Sequence, residues 1–347
     1  MGEHAEHGRR PRSRREVRAQ LSIDRYEAKN NYSNAFFILV DWSVIAGATV
    51  LADHFRPQVS PTGGITIYVA AVIIIGSRFR ALGILTHQAA HRQLFSAQFL
   101  NTWVGRITTA WPLLISLSDY AEGHQDHHRA LGAPSVDPKA AKYKRLGLIH
   151  APANPRDFIL RHGGKALVGG YSLENLQGAL QAAGERAGRL IMWIFVVGLS
   201  FAIGEQEILF LYWAVPFFTS YQIIRHWMEA TEHASLIEDD SEWLQTRSWT
   251  SNRLVQWLFA PHSDSFHILH HQFPGVPHYN YTRVHRLLMR DCWEYRSGHH
   301  CDGLLVPRRA DAPSVLRDIL SPDSLNDYKA PSTGLTAVPA VSPRLGT

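Results

Sequence analysis

Apolar residues fall into a few long runs rather than into stripes of helical or strand spacing. Ala35–Ala52 carries a single charge, Asp41, in eighteen positions. Ile65–Ile75 is intensely apolar but short, and it reaches membrane-spanning length only if the helix runs on through Arg78 and Arg80 towards Leu85. Those arginines are then expected to snorkel to the interface. Leu190–Gly204 and Ile208–Ile224 flank Gly-Glu-Gln-Glu and read as a tight helical hairpin. Each approaches the roughly 20 residues that cross a hydrocarbon core. Ile107–Ser118 is broken by Pro112 and fits an interfacial or buried helix. A soluble all-α enzyme would show amphipathic stripes, which Val69–Ile75 and Leu209–Phe218 lack. The pattern predicts an all-α integral membrane protein with four transmembrane helices in two hairpins.

Charge gives the topology. There are eight Lys and Arg before the first run, ten between Tyr120 and Arg189, and twelve from Arg225 onward. The loop Asp53–Gly64 holds only Arg56, and Gly204–Glu207 holds none. By the positive-inside rule both termini are cytoplasmic, together with two long polar blocks, 86–189 and 225–330. The expected organisation is a basic, disordered tail over 1–30, a membrane domain over 31–300, and an extension over 301–347 that is disordered after about Ala330. No apolar signal-peptide core directly follows the basic N-terminus, and no nucleic-acid-binding module accompanies it.

Composition adds one feature. The 347 residues are 45% hydrophobic and 19% charged, which excludes a disordered or collagen-like chain. Two cysteines, Cys292 and Cys301, exclude a disulfide scaffold and a Cys-ligated cluster. The 20 histidines are the excess, and their spacing gives it meaning. His87 and His91 are four apart. His124, His127 and His128 repeat a spacing found again in His267, His270 and His271. Residues three and four apart share a helix face, so each cluster aims its imidazoles in one direction. Eight imidazoles exceed what one zinc takes and suit two first-row metals with open positions. Gln88 stands where a zinc protease needs its glutamate base, and the paired Glu-x-x-His of soluble di-iron bundles is missing. His233, after Glu232, is a ninth candidate. His226 is a weaker one, and Glu229 lies one turn before His233. Glu122, Asp126, Glu229 and Glu232 are candidates to orient imidazoles from behind. His278 and His285 lie near the third cluster without a spacing argument.

These residues resemble the histidine boxes of the membrane fatty acid desaturase superfamily, which includes related hydroxylases. His-Gln-Ala-Ala-His, His-Gln-Asp-His-His and His-Ile-Leu-His-His stand where that family has its three boxes. Phe273-Pro274-Gly275-Val276-Pro277 is similar to its exit from the third box, and Glu232-His233 resembles its extra histidine. The resemblance covers about residues 30–300. Gln88 departs from a position that is commonly acidic, and His267 from one that is Gln in some members. The resemblance implies a cytoplasmic helical cap over a non-haem di-iron centre. Its metal ligands would be His87, His91, His124, His127, His128, His233, His267, His270 and His271. It also implies O2 as co-substrate and desaturation of a fatty acyl chain or similar linear substrate. No haem, iron–sulfur or dinucleotide motif is present, so electrons are expected from a separate ferredoxin- or cytochrome b5-type donor. A hydroxylase acting on a lipid, carotenoid or small amino-acid-like substrate is the alternative on the same scaffold. A non-catalytic metal-binding or transport protein is the alternative of another class, and the near-absence of polar residues in the spans disfavours it.

Overall fold

A computed structural model describes residues 10–322, except 153, 168 and 240. Helices dominate. The first long ones are α2 (Ser33–Phe55) and α3 (Pro61–Ala90), preceded by a short α1 (Arg14–Gln20). Ser60 starts α3 by accepting from the Gly63 amide at 3.3 Å, with Pro61 at the first helical position. The helix continues past Arg78 and Arg80 and stops only after the first histidine pair. There Arg92 turns left-handed (φ +57°), and the Gln93 amide reaches back to the Gln88 carbonyl at 2.7 Å.

Three helical stretches are long and apolar enough to cross a membrane: Ser33–Gln58, Pro61–Ala90 and Gln206–His233. The third is not one smooth helix. A π turn over Phe210–Ala214 precedes Pro216, the backbone breaks at Thr219, and α6 (Ser220–His233) resumes. The expected fourth span is α5 (Arg186–Ala202), with only 17 residues. At 1.5 Å per residue it is about 26 Å long, short of a hydrocarbon core of roughly 30 Å. Its surface is nonetheless strongly apolar, with Ile191, Ile194, Phe195 and Phe201 all about two-thirds exposed.

Two expectations about the ends and the arginines are corrected. Residues 10–30 are ordered rather than a loose tail. Ser13 and Glu16 form a reciprocal cap on α1, Arg12 pairs with Glu294 at 2.7 Å, and Val17 and Ile23 are fully buried against Ile268, Leu269 and Phe273. Residues 1–9 and the tail after 330 lie outside the described residues. Arg78 and Arg80 do not snorkel. Arg78 is buried, pairs with Asp41 of α2 at 3.1 Å, and lies over the Trp257 ring at 4.0 Å. Arg80 bridges Glu232, at 3.1 Å, and Asp264. The charges inside the apolar runs satisfy one another, which is what a low-dielectric interior requires.

The expected all-α class also needs a small amendment. β1 (Arg247–Thr250) pairs in parallel with β2 (His299–Asp302), Arg247 opposite His299. Arg247 is completely buried, donates to the carbonyls of Thr231 and Ala234 at 3.0 and 3.2 Å, and pairs with Asp318. This sheet ties the end of α6 to the segment that carries the third histidine box.

Candidate metal centre

The histidines sit at helix ends. His87 lies in the last turn of α3, and His91 caps it. His127 and His128 close α4 (Leu117–Arg129), and His233 closes α6. His270 and His271 end α7 (His267–Gln272). Four helix C-termini therefore converge on one volume, each bringing its partial negative charge, a favourable setting for cations.

All nine expected residues are brought together. His87, His91, His124, His128 and His270 form one group able to hold a metal; His127, His233 and His271 form another, which His267 and Glu232 extend through His233. In the first group four Nε2 atoms make a closed ring: His87 to His124 at 2.7 Å, His124 to His128 at 3.0 Å, His128 to His270 at 2.8 Å and His270 to His87 at 2.9 Å. Each neutral Nε2 has a single lone pair or a single hydrogen, so hydrogen bonding alone does not satisfy two such neighbours. If the four nitrogens stood at the corners of a square of this edge, its centre would be about 2.0 Å from each, the length of a metal–imidazole bond. In the second group His233 Nε2 is 3.3 Å from that of His127 and 3.0 Å from that of His267. His91 Nε2 and His271 Nε2 are buried without a hydrogen-bond partner. Orphaned nitrogens at such depth are costly in a metal-free protein, and the donor set fits a pair of cations.

Burial sets the protonation. Desolvation lowers His91 to about 4 and His128 to about 2, and holds His124, His267, His270 and His271 well below the usual imidazole value. The imidazoles are neutral at pH 7, the form a metal needs.

The groups behind the imidazoles differ from expectation. Asp137 accepts from His127 Nδ1 at 3.0 Å and is itself held by the amides of Gly132 and Lys139 at 2.8 Å. The Tyr281 hydroxyl meets His270 Nδ1 at 3.0 Å. Neither residue has a spacing signal in the sequence. Of the expected acids, Glu122 is exposed, Asp126 pairs with Arg129 at 2.7 Å, and Glu229 is taken by Lys139 and Lys142. Only Glu232 stands at the centre, 3.6 Å from His267 Nε2. His226 points elsewhere: it contacts His162 Nδ1 at 3.0 Å and stacks on Tyr171. His278 meets Asn34 at 2.7 Å, and its amide donates to Gln88 at 3.1 Å, so the unusual Gln88 ties the first box to the exit of the third.

A cavity of about 290 Å³ adjoins the centre. Tyr120 lines it and stacks on His124, the rings 5.5 Å apart and nearly parallel. Its walls combine Leu113, Phe217 and Tyr221 with Asp119, Glu174 and Arg225.

The sequence model of the family "Fatty acid desaturase" matches residues 64–303, a stretch that contains all nine histidines. The chain belongs to the fatty acid desaturase family. The match covers 88%, 82% and 60% of three relatives' own length. Dihydrorhizobitoxine desaturase of Bradyrhizobium elkanii is 26% identical over 322 residues, spanning 88% of each chain. An sn-1 acyl-lipid omega-3 desaturase (ferredoxin) of Synechocystis sp. is 23% identical over 311 residues, 82% of each. An endoplasmic-reticulum omega-3 fatty acid desaturase of Vigna radiata is 27% identical over 236 residues, covering 59% of this chain and 60% of that one. Family membership makes this chain an oxidoreductase of the desaturase type and, with its three apolar helices, a membrane protein.

Proposed function

We propose that the chain is an O2-dependent desaturase with a di-iron centre, anchored by four spans with both termini and the centre on the cytoplasmic side. His87, His91, His124, His128 and His270 would hold one iron, and His127, His233, His267 and His271 the other. When bound, the irons supply the oxygen-activating chemistry. The protein's part is to keep nine imidazoles neutral and oriented. Asp137 and Tyr281 fix the rings of His127 and His270, and burial keeps bulk water from most of the set. Overall, a CH2–CH2 unit, O2, two electrons and two protons become CH=CH and two waters. α5 serves as the fourth span in this reading because its large apolar side chains, Ile191, Ile194, Phe195 and Phe201 among them, are exposed.

The ring of four Nε2 atoms is the observation that carries the proposal. The substrate is a fatty acyl chain or another linear molecule. A second, smaller class is favoured by two observations: the similarity to dihydrorhizobitoxine desaturase over 88% of each chain, and the charged residues in the cavity beside Tyr120. Metal analysis after expression with iron tests the centre: two irons per chain are expected, and they are lost in His127→Ala. A chain that stays metal-free would sink the reading. Profiling of lipids and small metabolites with and without the chain then identifies the product. Loss of two hydrogens means desaturation, and gain of one oxygen means hydroxylation.

A further inference from the structure

Electrons for such a centre come from outside the chain, and among the described residues one edge of it reaches solvent. Seven of the nine histidines are buried; only His91 and His128 are partly open to solvent. That edge is framed by positive charge. Arg92, next to His91, is exposed, and so are Arg10, Arg14 and Arg15 at the start of α1. α1 is brought there by packing. Val17 and Ile23 are buried against the third-box segment, and Arg12 is locked to Glu294. The Arg14 amide donates to Glu242 at 3.4 Å, and the Glu242 carbonyl accepts from Gln272 at 2.6 Å. Gln272 follows His271, whose ring stacks on His128 at 4.2 Å. The charge of Arg14 is one of those felt by His128. Of the acids nearby, Asp24 pairs with Arg18, while Glu16 is hydrogen-bonded to Ser13 and keeps its negative charge. Glu242 lies 4.0 Å from the half-exposed Arg14 guanidinium, so Glu242 and Glu16 together offset two of the four arginines and the face stays net positive.

We infer that the basic segment formed by Arg10 and by Arg14 and Arg15 of α1, with Arg92, is the docking surface for an acidic one-electron carrier, which delivers its electron through the His91–His128 edge. The inference rests on the desaturase reading and adds to it the place of electron entry. Two reduced carriers, each oxidised by one electron, balance one desaturation. Charge complementarity is the warrant for the occupant: opposed charge accelerates and orients encounter while leaving the contact reversible. The basic segment that the sequence presents as a loose tail is thereby part of the working surface.

The test is binding of a plant-type [2Fe–2S] ferredoxin to the full chain in nanodiscs of zwitterionic lipid, a readout that needs neither substrate nor turnover. Affinity should drop at about 0.5 M salt, where the screening length shrinks to a few ångströms. Arg14→Glu/Arg15→Glu should weaken it by about tenfold or more, and Arg14→Lys/Arg15→Lys should preserve it. Arg253→Glu/Arg309→Glu, equal in charge change but outside this face, should leave binding intact. Equal affinity of the Glu pair and the unchanged chain would overturn the inference, as would an equal loss in the control pair. It would also fail if the Glu pair affected only association with anionic vesicles, which would assign the face to lipid head groups. Failure of the desaturase reading looks different: no iron and no product with a chemical reductant, whatever the ferredoxin affinity.

Discussion

Single residues behind the imidazoles decide how well the centre holds metal. Asp137→Asn keeps the size of the side chain but loses the charge that His127 Nδ1–H points to. Metal affinity should fall by about 10–100-fold, measured by chelator competition. Asp126→Asn, whose partner is Arg129, should leave it unchanged. A second residue-scale expectation concerns pH. In the folded chain His91 titrates near 4 and His128 near 2, whereas in the unfolded chain both titrate near the usual imidazole value. Below that value the unfolded state binds more protons, so stability is full above it and is lost as pH falls towards 4. Thermal unfolding of the metal-free chain should therefore move to lower temperature between pH 7.5 and pH 5. A Tm independent of pH would contradict buried, neutral imidazoles. His87, His91 and the two His-x-x-His-His clusters were legible because helix spacing puts them on one face. Asp137 and Tyr281 were not, because a turn and a separate helix bring them in.

At the scale of elements, two contacts hold the helices that carry the boxes. α3 and α6 meet so closely at Gly76 that an added Cβ would lie 2.1 Å from the Ser220 hydroxyl and 2.7 Å from the Tyr221 amide. Gly76→Leu should separate the helices that bear His87 and His233, cost about 1–3 kcal/mol or more, and lower metal content and Tm together. Metal content unchanged in a folded Gly76→Leu protein would refute this coupling. The other contact is the buried Asp41–Arg78 pair, which His262 completes at 2.7 Å. Asp41→Leu leaves Arg78 unpaired in a low-dielectric layer and should destabilise by about 3–5 kcal/mol. Adding Arg78→Met to it should recover much of that loss in the same thermal assay. The length of α3 was readable only as a conditional, since hydropathy stops at Ile75. The ion pair explains why the helix does not stop there.

On the scale of the whole molecule, the N-terminal segment packs into the same hydrophobic cluster as the helix that carries the third box. Deleting residues 1–30 removes Val17 and Ile23 from the cluster around Ile268, Leu269 and Phe273, next to the third box. The truncated protein should lose metal and aggregate, seen as reduced iron content and a shifted elution on size exclusion; full iron loading would show that the centre stands without it. The sequence by itself determined the apolar runs, the uneven distribution of basic residues between them, and the three histidine clusters. Hydropathy and helical periodicity are local properties, carried by neighbours within a few turns. It also pointed to His233, which ends α6. Only the tertiary structure decided which acids serve the centre, why His226 is outside it, how α1 packs against the third-box helix, and that four helix C-termini share one volume. Those are contacts between segments tens to hundreds of residues apart, and they depend on packing and charge pairing that no local pattern encodes.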